Sequence, residues 1–418
     1  MNKIRFLDLF AGAGGLSEGF IRAGYSPVAH VEVDLAACYT LKTRMAYHWL
    51  KDHGRTNAYC DYLHGKISRY ELYEMVPESL IASVINAKIG KESLPEIFRR
   101  IDELLDKESL DLIIGGPPCQ AYSLVGRSRD KNRMQFDMRN YLYVYYAEFL
   151  KRYQPRYFVF ENVSGLLSAK SPEGVPYFES MRGLFQETGY KTEYRVLSAD
   201  NYGVPQKRKR IILVGSRGNE NGFYPEPEIW HPQIKVSEIF RDLPELQAGD
   251  GSILPCHLKE CTGQYLYEAG IRNDDVPVTL HQSRPHSDQD LEIYRIAARK
   301  WNENHERLTY NDLPERLKTH QNRSSFLDRF KVVASDVGCS HTVVAHISKD
   351  GHYYIHPDIN QNRSITPREA ARLQTFPDDY FFEGMSEKPG RTAAYRQIGN
   401  AVPVLLSQKI AEKLKEVW

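Results

Sequence analysis

The sequence predicts an α/β fold built on a mostly parallel sheet with helices on both faces, and three observations carry that prediction. Residues 4–33 read as strand, glycine turn, helix, strand. Three later apolar runs, LDLIIGG, RYFVFEN and IILVG, are short and end at glycine or a carboxylate, as fully buried strands do. The chain has 418 residues, room for about two domains, and these runs all fall within residues 1–215.

The elements follow in order. Ile4 to Leu9 is a strand, Gly12, Gly14 and Gly15 form a tight turn, and Leu16 to Ala23 carries a helical apolar face that stops at Gly24. Pro27 to Val33 is the second strand, with Glu32 at its close. A piece at about 43–86, rich in Tyr, His and charge, reads as an inserted helical segment, a solvated lid or an added nucleic-acid contact. Leu110 to Gly116 is the next strand. Pro117 and Pro118 then fix φ and remove two backbone donors, so Cys119 stands on a stiff loop past a strand end. Ligands of open α/β sheets bind at that edge, whereas a lone cysteine is more commonly a buried structural one. Tyr157 to Phe160 is a strand with Glu161 and Asn162 at its end, and a carboxylate there, flanked by aromatics, is a candidate to hydrogen-bond a neutral base. Gln206, Arg208 and Arg210 alternate before the strand Ile211 to Val214, so they are expected to project together as one ridge facing a site. TVVAHISKDGHYYIH reads as a hairpin turning at Asp350-Gly351. Pro403 starts a final helix, Val404 to Lys415.

Composition narrows the class. Apolar residues make up 41% and charged residues 26%, the balance of a water-soluble globular protein, and no run nears the ~18 apolar residues of a membrane span. No signal-peptide pattern opens the chain, and six cysteines without regular spacing make no disulfide framework, so a reduced cytoplasmic protein is expected. A net charge of +1 excludes polyanion binding by bulk charge but not a local basic groove. The best local run is RLKTHQNRSSFLDRFK, with Arg323 and Lys331 as phosphate contacts. Cys256 and Cys261 make one C-x₄-C, but no second pair with that spacing completes a ligand set from Cys256, His257, Cys261, Cys339 and His341, so no metal is expected.

The first loop departs from a dinucleotide fingerprint, because Ser17 occupies the third glycine position of G-x-G-x-x-G. Glu32 suits a ribose diol. An adenosine ligand without pyrophosphate fits best, which points to S-adenosyl-L-methionine.

Six blocks together carry a resemblance: DLFAGAGG, GGPPCQAYS, FENV, QKRKR, RSITPREAARLQTFPDDY and RQIGNAVP, in that order from Asp8 to Pro403. The chain resembles the DNA (cytosine-5) methyltransferases, of the type II restriction-modification kind. The likeness covers about residues 1–215 and 363–418. It implies a Rossmann-like S-adenosylmethionine-dependent methyltransferase domain over 1–215, a smaller mixed target recognition domain over 216–362, and a segment 363–418 returning to the first. It implies Cys119 as nucleophile, Glu161 and Asn162 as the pair contacting the cytosine, and Arg208 and Arg210 as holders of the flipped nucleotide and of the catalytic carboxylate. By the same likeness Phe10, Gly12, Ala13, Gly15, Glu32, Val33, Pro117, Leu142, Asn400, Ala401 and Val402 line the cofactor site, and Gln120, Ser123, Gln206 and Thr342 face DNA. The family's adenine-reading Asp has no counterpart; Asn86 or Lys88 falls near its place.

The resemblance implies a monomer that methylates double-stranded DNA beside the nucleoid, paired genetically with a restriction endonuclease. An RNA cytosine-5 methyltransferase is the rival within the fold, but those relatives have a short middle segment. A catalytically silent DNA-binding regulator would have lost Cys119 or Glu161, and both are present. A NAD-dependent oxidoreductase is disfavoured by Ser17.

Overall fold

The computed structural model describes residues 3–118, 141–171, 173–218, 221–260, 263–321, 323, 327–387 and 390–418. Seven strands form one sheet: β1 (Arg5–Leu9), β2 (Ser26–Glu32), β3 (Val84–Asn86), β4 (Leu112–Gly115), β5 (Tyr157–Asn162), β6 (Lys191–Ser198) and β7 (Lys209–Ser216). Their spatial order is β3-β2-β1-β4-β5-β7-β6. The first five are parallel, and β7 runs antiparallel to both its neighbours. The chain builds outward from β1 to β3, then returns to β1 and builds the other way from β4. The strand order reverses between β1 and β4, and a crevice opens there at the carboxyl ends.

Alternation along β1 explains the two layers. Phe6 faces one apolar core, shared with helices α1 (Gly15–Arg22) and α2 (Leu35–Asp52), while Leu7 and Leu9 face the other. The inserted segment follows α2 as α3 (Thr56–Leu63), α4 (Arg69–Glu74) and α5 (Glu78–Ala82). Helix α6 (Leu94–Leu105), α7 (Leu142–Tyr153) and α8 (Tyr177–Glu187) cover the second face.

One face of the insertion is packed as a buttress. Tyr59 and Leu72 are fully buried. The Tyr59 hydroxyl donates to the Asp379 carbonyl (2.8 Å), Tyr62 to Glu383 Oε1 (2.5 Å), and Arg69 to the Gly384 carbonyl (3.0 Å). The insertion thus supports the loop that leads into the last two helices.

Beyond β7 the chain carries α9 (Val236–Phe240), α10 (Gln264–Glu268), α11 (Asp288–Asn304) and the two-residue strands β8 (Gly251–Ser252) and β9 (His281–Gln282). A small separate core gathers Ile293, Tyr294, Leu308, Leu313, Phe330 and Ile355. The expected hairpin at 342–356 does not form. A short 3₁₀ turn, Ala345–Ser348, takes its place, and Ile355 pairs instead with Val332 and Ser364. Buried Val343 and Ile347 pack on the main core, and that burial overrides the alternating pattern.

The chain returns through α12 (Pro367–Leu373), α13 (Arg391–Asn400) and α14 (Val404–Glu416). Helix α14 packs on α1. Tyr25 Oη donates to the Ala411 carbonyl (2.9 Å), and Trp418 lies against Tyr25 and Tyr157. Among the described residues no helix is long and apolar enough to cross a membrane.

Candidate catalytic and cofactor site

Two glycines bring three strand ends together at the switch point. Gly115 pairs with Leu9 on one side and Phe160 on the other. A Cβ on Gly115 would lie 1.9 Å from the Leu9 carbonyl oxygen, and one on Gly116 would lie 1.9 Å from that of Glu161. Only glycine lets the loop after β4 pass so close to both neighbours, and Gly115 also has φ of +129°. Asn162, 1% exposed, then donates from Nδ2 to the Pro117 carbonyl (3.2 Å) and accepts from the Val163 N–H (2.9 Å). Asn162 therefore fixes the loop that leads to position 119. Cys119, Gln120 and Ser123 lie outside the described residues.

Glu161 sits one residue before Asn162, and Arg210 Nε lies 2.6 Å from its Oε1, both side chains being 12–16% exposed. The ridge expected from Gln206, Arg208 and Arg210 divides. Arg210 alone reaches the carboxylate. Arg208 is 1% exposed and donates to the Val343 carbonyl (2.6 Å) and the Gly399 carbonyl (3.1 Å). Gln206 is fully buried, and its amide is spent on Leu373, Gln374 and Val343. Gln206 cannot touch DNA as expected, because burial leaves it no outward face. Thr342 donates its hydroxyl to the Lys207 carbonyl. Arg323 pairs with Glu315 (3.1 Å) and Lys331 with Asp328. The first pair is exposed and of the weak surface kind, while Lys331 is half-buried.

The glycine loop closes over the other side of the crevice. Phe10 adopts a left-handed φ of +58°, and the Gly12 N–H donates to Glu32 Oε2 (2.8 Å). Glu32 Oε1 accepts from Val33 N–H (2.8 Å) and Asp34 N–H (2.7 Å). Burial pushes the Glu32 carboxyl above its ordinary pKa against those three N–H donors. A carboxylate has about four lone-pair sites, so one remains for a ligand. Asp34 caps α2 through the Ala36 N–H and pairs with Arg396 of α13 (2.9 Å). Val33 is 58% exposed, an apolar side chain left open beside the acid. Asn86 donates to the Glu32 and Val33 carbonyls (3.1 and 3.0 Å) and so lies beside this end of the crevice. Ala13 is buried, and Gly15 abuts the far end of the chain: a Cβ there would lie 2.3 Å from the Val402 carbonyl oxygen and 3.2 Å from Ala401 Cβ. Asn400 is exposed next to them, and Leu142 is half-buried as α7 begins.

One group escaped the sequence reading. Asp8, in the middle of β1, is 1% exposed, and neither carboxylate oxygen has a hydrogen-bond partner among the described residues. Burial, with Glu32 nearby, holds its carboxyl well above the ordinary range. An acid inside an otherwise apolar strand was the available signal.

The Glu32 carboxylate with a lone pair to spare, the open space above Gly12, where an added Cβ would meet nothing within 4 Å, and the exposed Val33 fit the groups of an adenosine ligand. Among the described residues no three His, Cys, Asp or Glu side chains gather as metal ligands.

Comparison with known proteins agrees with this geometry. Residues 4–63 and 81–416 match the family model of the C-5 cytosine-specific DNA methylases, and the gap falls on the buttress. The chain is 42% identical to Type II methyltransferase M.Bpa9945I of Bacillus paralicheniformis, covering 98% of each chain. It is 30% identical to Type II methyltransferase M.DdeI of Desulfomicrobium norvegicum, over 98% of this chain and 88% of that one. A crystal structure described as a DNA modification methyltransferase encoded within an E. coli prophage shares the fold, with a TM-score of 0.62 at 21% identity over 99% of each chain.

Proposed function

Because the chain belongs to the C-5 cytosine-specific DNA methylase family, and is a DNA cytosine-5 methyltransferase of the type II restriction-modification kind, we propose that it methylates a flipped-out cytosine within a specific duplex sequence through a covalent adduct at Cys119. What supports this reading is the convergence at the switch point: Gly116 and Pro117, which lead toward Cys119, lie against Glu161 and Asn162, and Gly115 pairs with Leu9, the strand end that runs into the glycine loop.

The Cys119 thiolate adds to C6 of the ring, and the displaced electron pair makes C5 nucleophilic. Glu161 binds N3 and the exocyclic amine, so charge drawn into the ring is stabilised. Arg210 holds Glu161 in place with its planar guanidinium. S-adenosyl-L-methionine, when bound, supplies the methyl group as an electrophile. Loss of the C5 proton to a base then expels the thiolate and restores both the aromatic ring and the enzyme. Glu32 holds the ribose, Val33 meets the adenine, and Phe10, Gly12, Ala13, Gly15, Pro117, Leu142, Asn400, Ala401 and Val402 complete the pocket wall. The segment 216–362 reads the DNA sequence, with Thr342, Arg323 and Lys331 at the backbone. The modified site is thereby protected from a cognate endonuclease.

Bisulfite sequencing of a plasmid propagated with the gene tests the proposal. One short sequence should carry 5-methylcytosine, and the mark should vanish with Cys119→Ala. A folded Cys119→Ala protein that still marks the site would reject the nucleophile. A stable adduct should form on duplexes carrying 5-fluorocytosine at that position, because fluorine cannot leave as a proton does.

A further inference from the structure

The fate of Gln206 leads beyond this reading. Segment 340–343 of the recognition portion is laced to 205–208. Ser340 N–H donates to the Pro205 carbonyl, and Lys207 N–H donates to the Ser340 carbonyl, both at 2.9 Å. Both polar groups of Val343 are taken by side chains: its N–H donates to Gln206 Oε1 (2.9 Å), and its carbonyl accepts from Arg208 (2.6 Å). The same two side chains then turn to the other end of the chain. Gln206 Nε2 donates to the Leu373 carbonyl (2.7 Å) and to Gln374 Oε1 (3.0 Å). Gln374 Nε2 passes the connection to the Ile398 carbonyl (2.8 Å) and the Ala401 carbonyl (3.4 Å). Ala401 and Val402 in turn abut Gly15 of the glycine loop.

Both glutamines are fully buried. A buried amide that loses a partner carries the desolvation penalty of an unmet polar group, so the amides resist sliding independently of each other. Each amide has one orientation that satisfies its neighbours. Gln206 must present oxygen to Val343 and nitrogen to Gln374, and Gln374 must present oxygen back and nitrogen to 398 and 401.

We propose that Gln206 and Gln374 are positioning residues that form a directional amide relay, through which the DNA-reading segment at 340–343 and the cofactor-pocket wall at 398–402 sense each other's occupancy. The proposal rests on the functional reading above. Through this relay DNA binding tightens cofactor-site binding, and by linkage the reverse holds by the same factor. A residue acting only in folding would not set that factor.

The test is calorimetric binding of S-adenosylhomocysteine to the whole protein at fixed salt. It is done with and without a saturating duplex carrying the site found by bisulfite sequencing. The ratio of the two dissociation constants is the readout. In wild type the duplex should tighten binding at least about fivefold, the lower end of ordinary site-site coupling. Gln206→Met and Gln374→Met keep the length of the side chain and remove both polar functions. Each should cut the ratio at least about threefold, and the double variant should fall no further than the lower single, because one relay is broken once. Melting curves identify the variants that fold, and either single variant suffices if the other does not. An unchanged ratio in a folded variant would overturn the relay, as would two losses that multiply independently. A wild-type ratio of one, with both ligands bound, would also overturn it. Absence of S-adenosylhomocysteine binding in wild type would instead remove the functional reading, and the relay with it.

Discussion

Glu32→Gln probes the nucleoside end of the pocket with a change of one atom. The carboxylate takes one backbone N–H on Oε2, from Gly12, and two on Oε1, from Val33 and Asp34. A glutamine can offer its oxygen to one side only. Facing Val33 and Asp34 keeps two bonds and turns the NH₂ toward the Gly12 N–H, which then has no acceptor. The lost charge-assisted bond is worth about 1.5–3 kcal/mol, and the two retained bonds weaken toward the neutral range of about 0.5–1.5 kcal/mol each. Folding recovers much of this loss, because the variant no longer buries a charge whose desolvation already outweighs its hydrogen bonds. The net change in stability should stay within about 1 kcal/mol. The ligand recovers nothing. Its bond to the acid becomes neutral and the glycine loop loses its tie, so S-adenosylhomocysteine should bind about 10- to 150-fold more weakly, the equivalent of about 1.5–3 kcal/mol. The pH dependence supplies a second signature. The Glu32 carboxyl has a raised pKa in the folded state, so the folded protein takes up its proton first. Between that raised value and the ordinary carboxylate value, falling pH adds stability through this group while it weakens ligand binding. The glutamine variant should lose both slopes. Calorimetry and melting curves across that range give the answer. Wild-type affinity in the variant would place the ribose elsewhere, and a collapse of the melting temperature would make Glu32 a structural residue.

Three further outcomes are expected. Asp8→Asn should stabilise the protein at alkaline pH, with a gain that shrinks as pH falls and the native Asp8 becomes protonated; a gain independent of pH would count against an unpaired acid. Gly15→Ala pushes a Cβ against the Val402 carbonyl oxygen at 2.3 Å, an overpacking cost of about 1–3 kcal/mol that should weaken S-adenosylhomocysteine by about 5- to 150-fold, and calorimetry would detect its absence. Arg372→Met strands the fully buried Asp242 and leaves Asp378 only the longer approaches of Arg272 and Arg368, and should cost about 3–5 kcal/mol in denaturant titration, whereas Arg316→Met, at the exposed pair with Glu292, should leave the unfolding midpoint essentially where it is.

Strands β1, β2, β4, β5 and β7 were legible because each is a short buried run with clear stops, whereas β3, three residues at the end of the inserted segment, and β6, a largely uncovered edge strand, carry no such run and were not legible. Expected and observed bounds of β1, β2 and β7 differ by one or two residues. The loop glycines and Glu32 were legible because their spacing is local. What failed was long-range. Alternation made Gln206, Arg208 and Arg210 look equivalent, yet segment 340–343 and the end of α13 close over the first two and leave only Arg210 at Glu161. The hairpin at 342–356 failed for the same reason: Val343 and Ile347 are claimed by a core whose other members lie far away in sequence. The buttress looked solvated because Tyr59, Tyr62 and Arg69 are polar at their tips, and their partners, Asp379, Glu383 and Gly384, lie more than 300 residues away.

The packing of α14 on α1 sets a clock on synthesis. Tyr25 and Ala411 are 386 positions apart, so at about 5–20 residues per second the first helix waits roughly 20–80 seconds for its partner to emerge from the ribosome. Through that interval Phe20, Leu16 and Tyr25 lack the surface that finally covers them, and the wall at 400–402 does not yet exist. The nascent chain therefore passes most of its synthesis without the surface that seals α1 and without the wall proposed for the cofactor. Sealing of the first helix thus waits on α14.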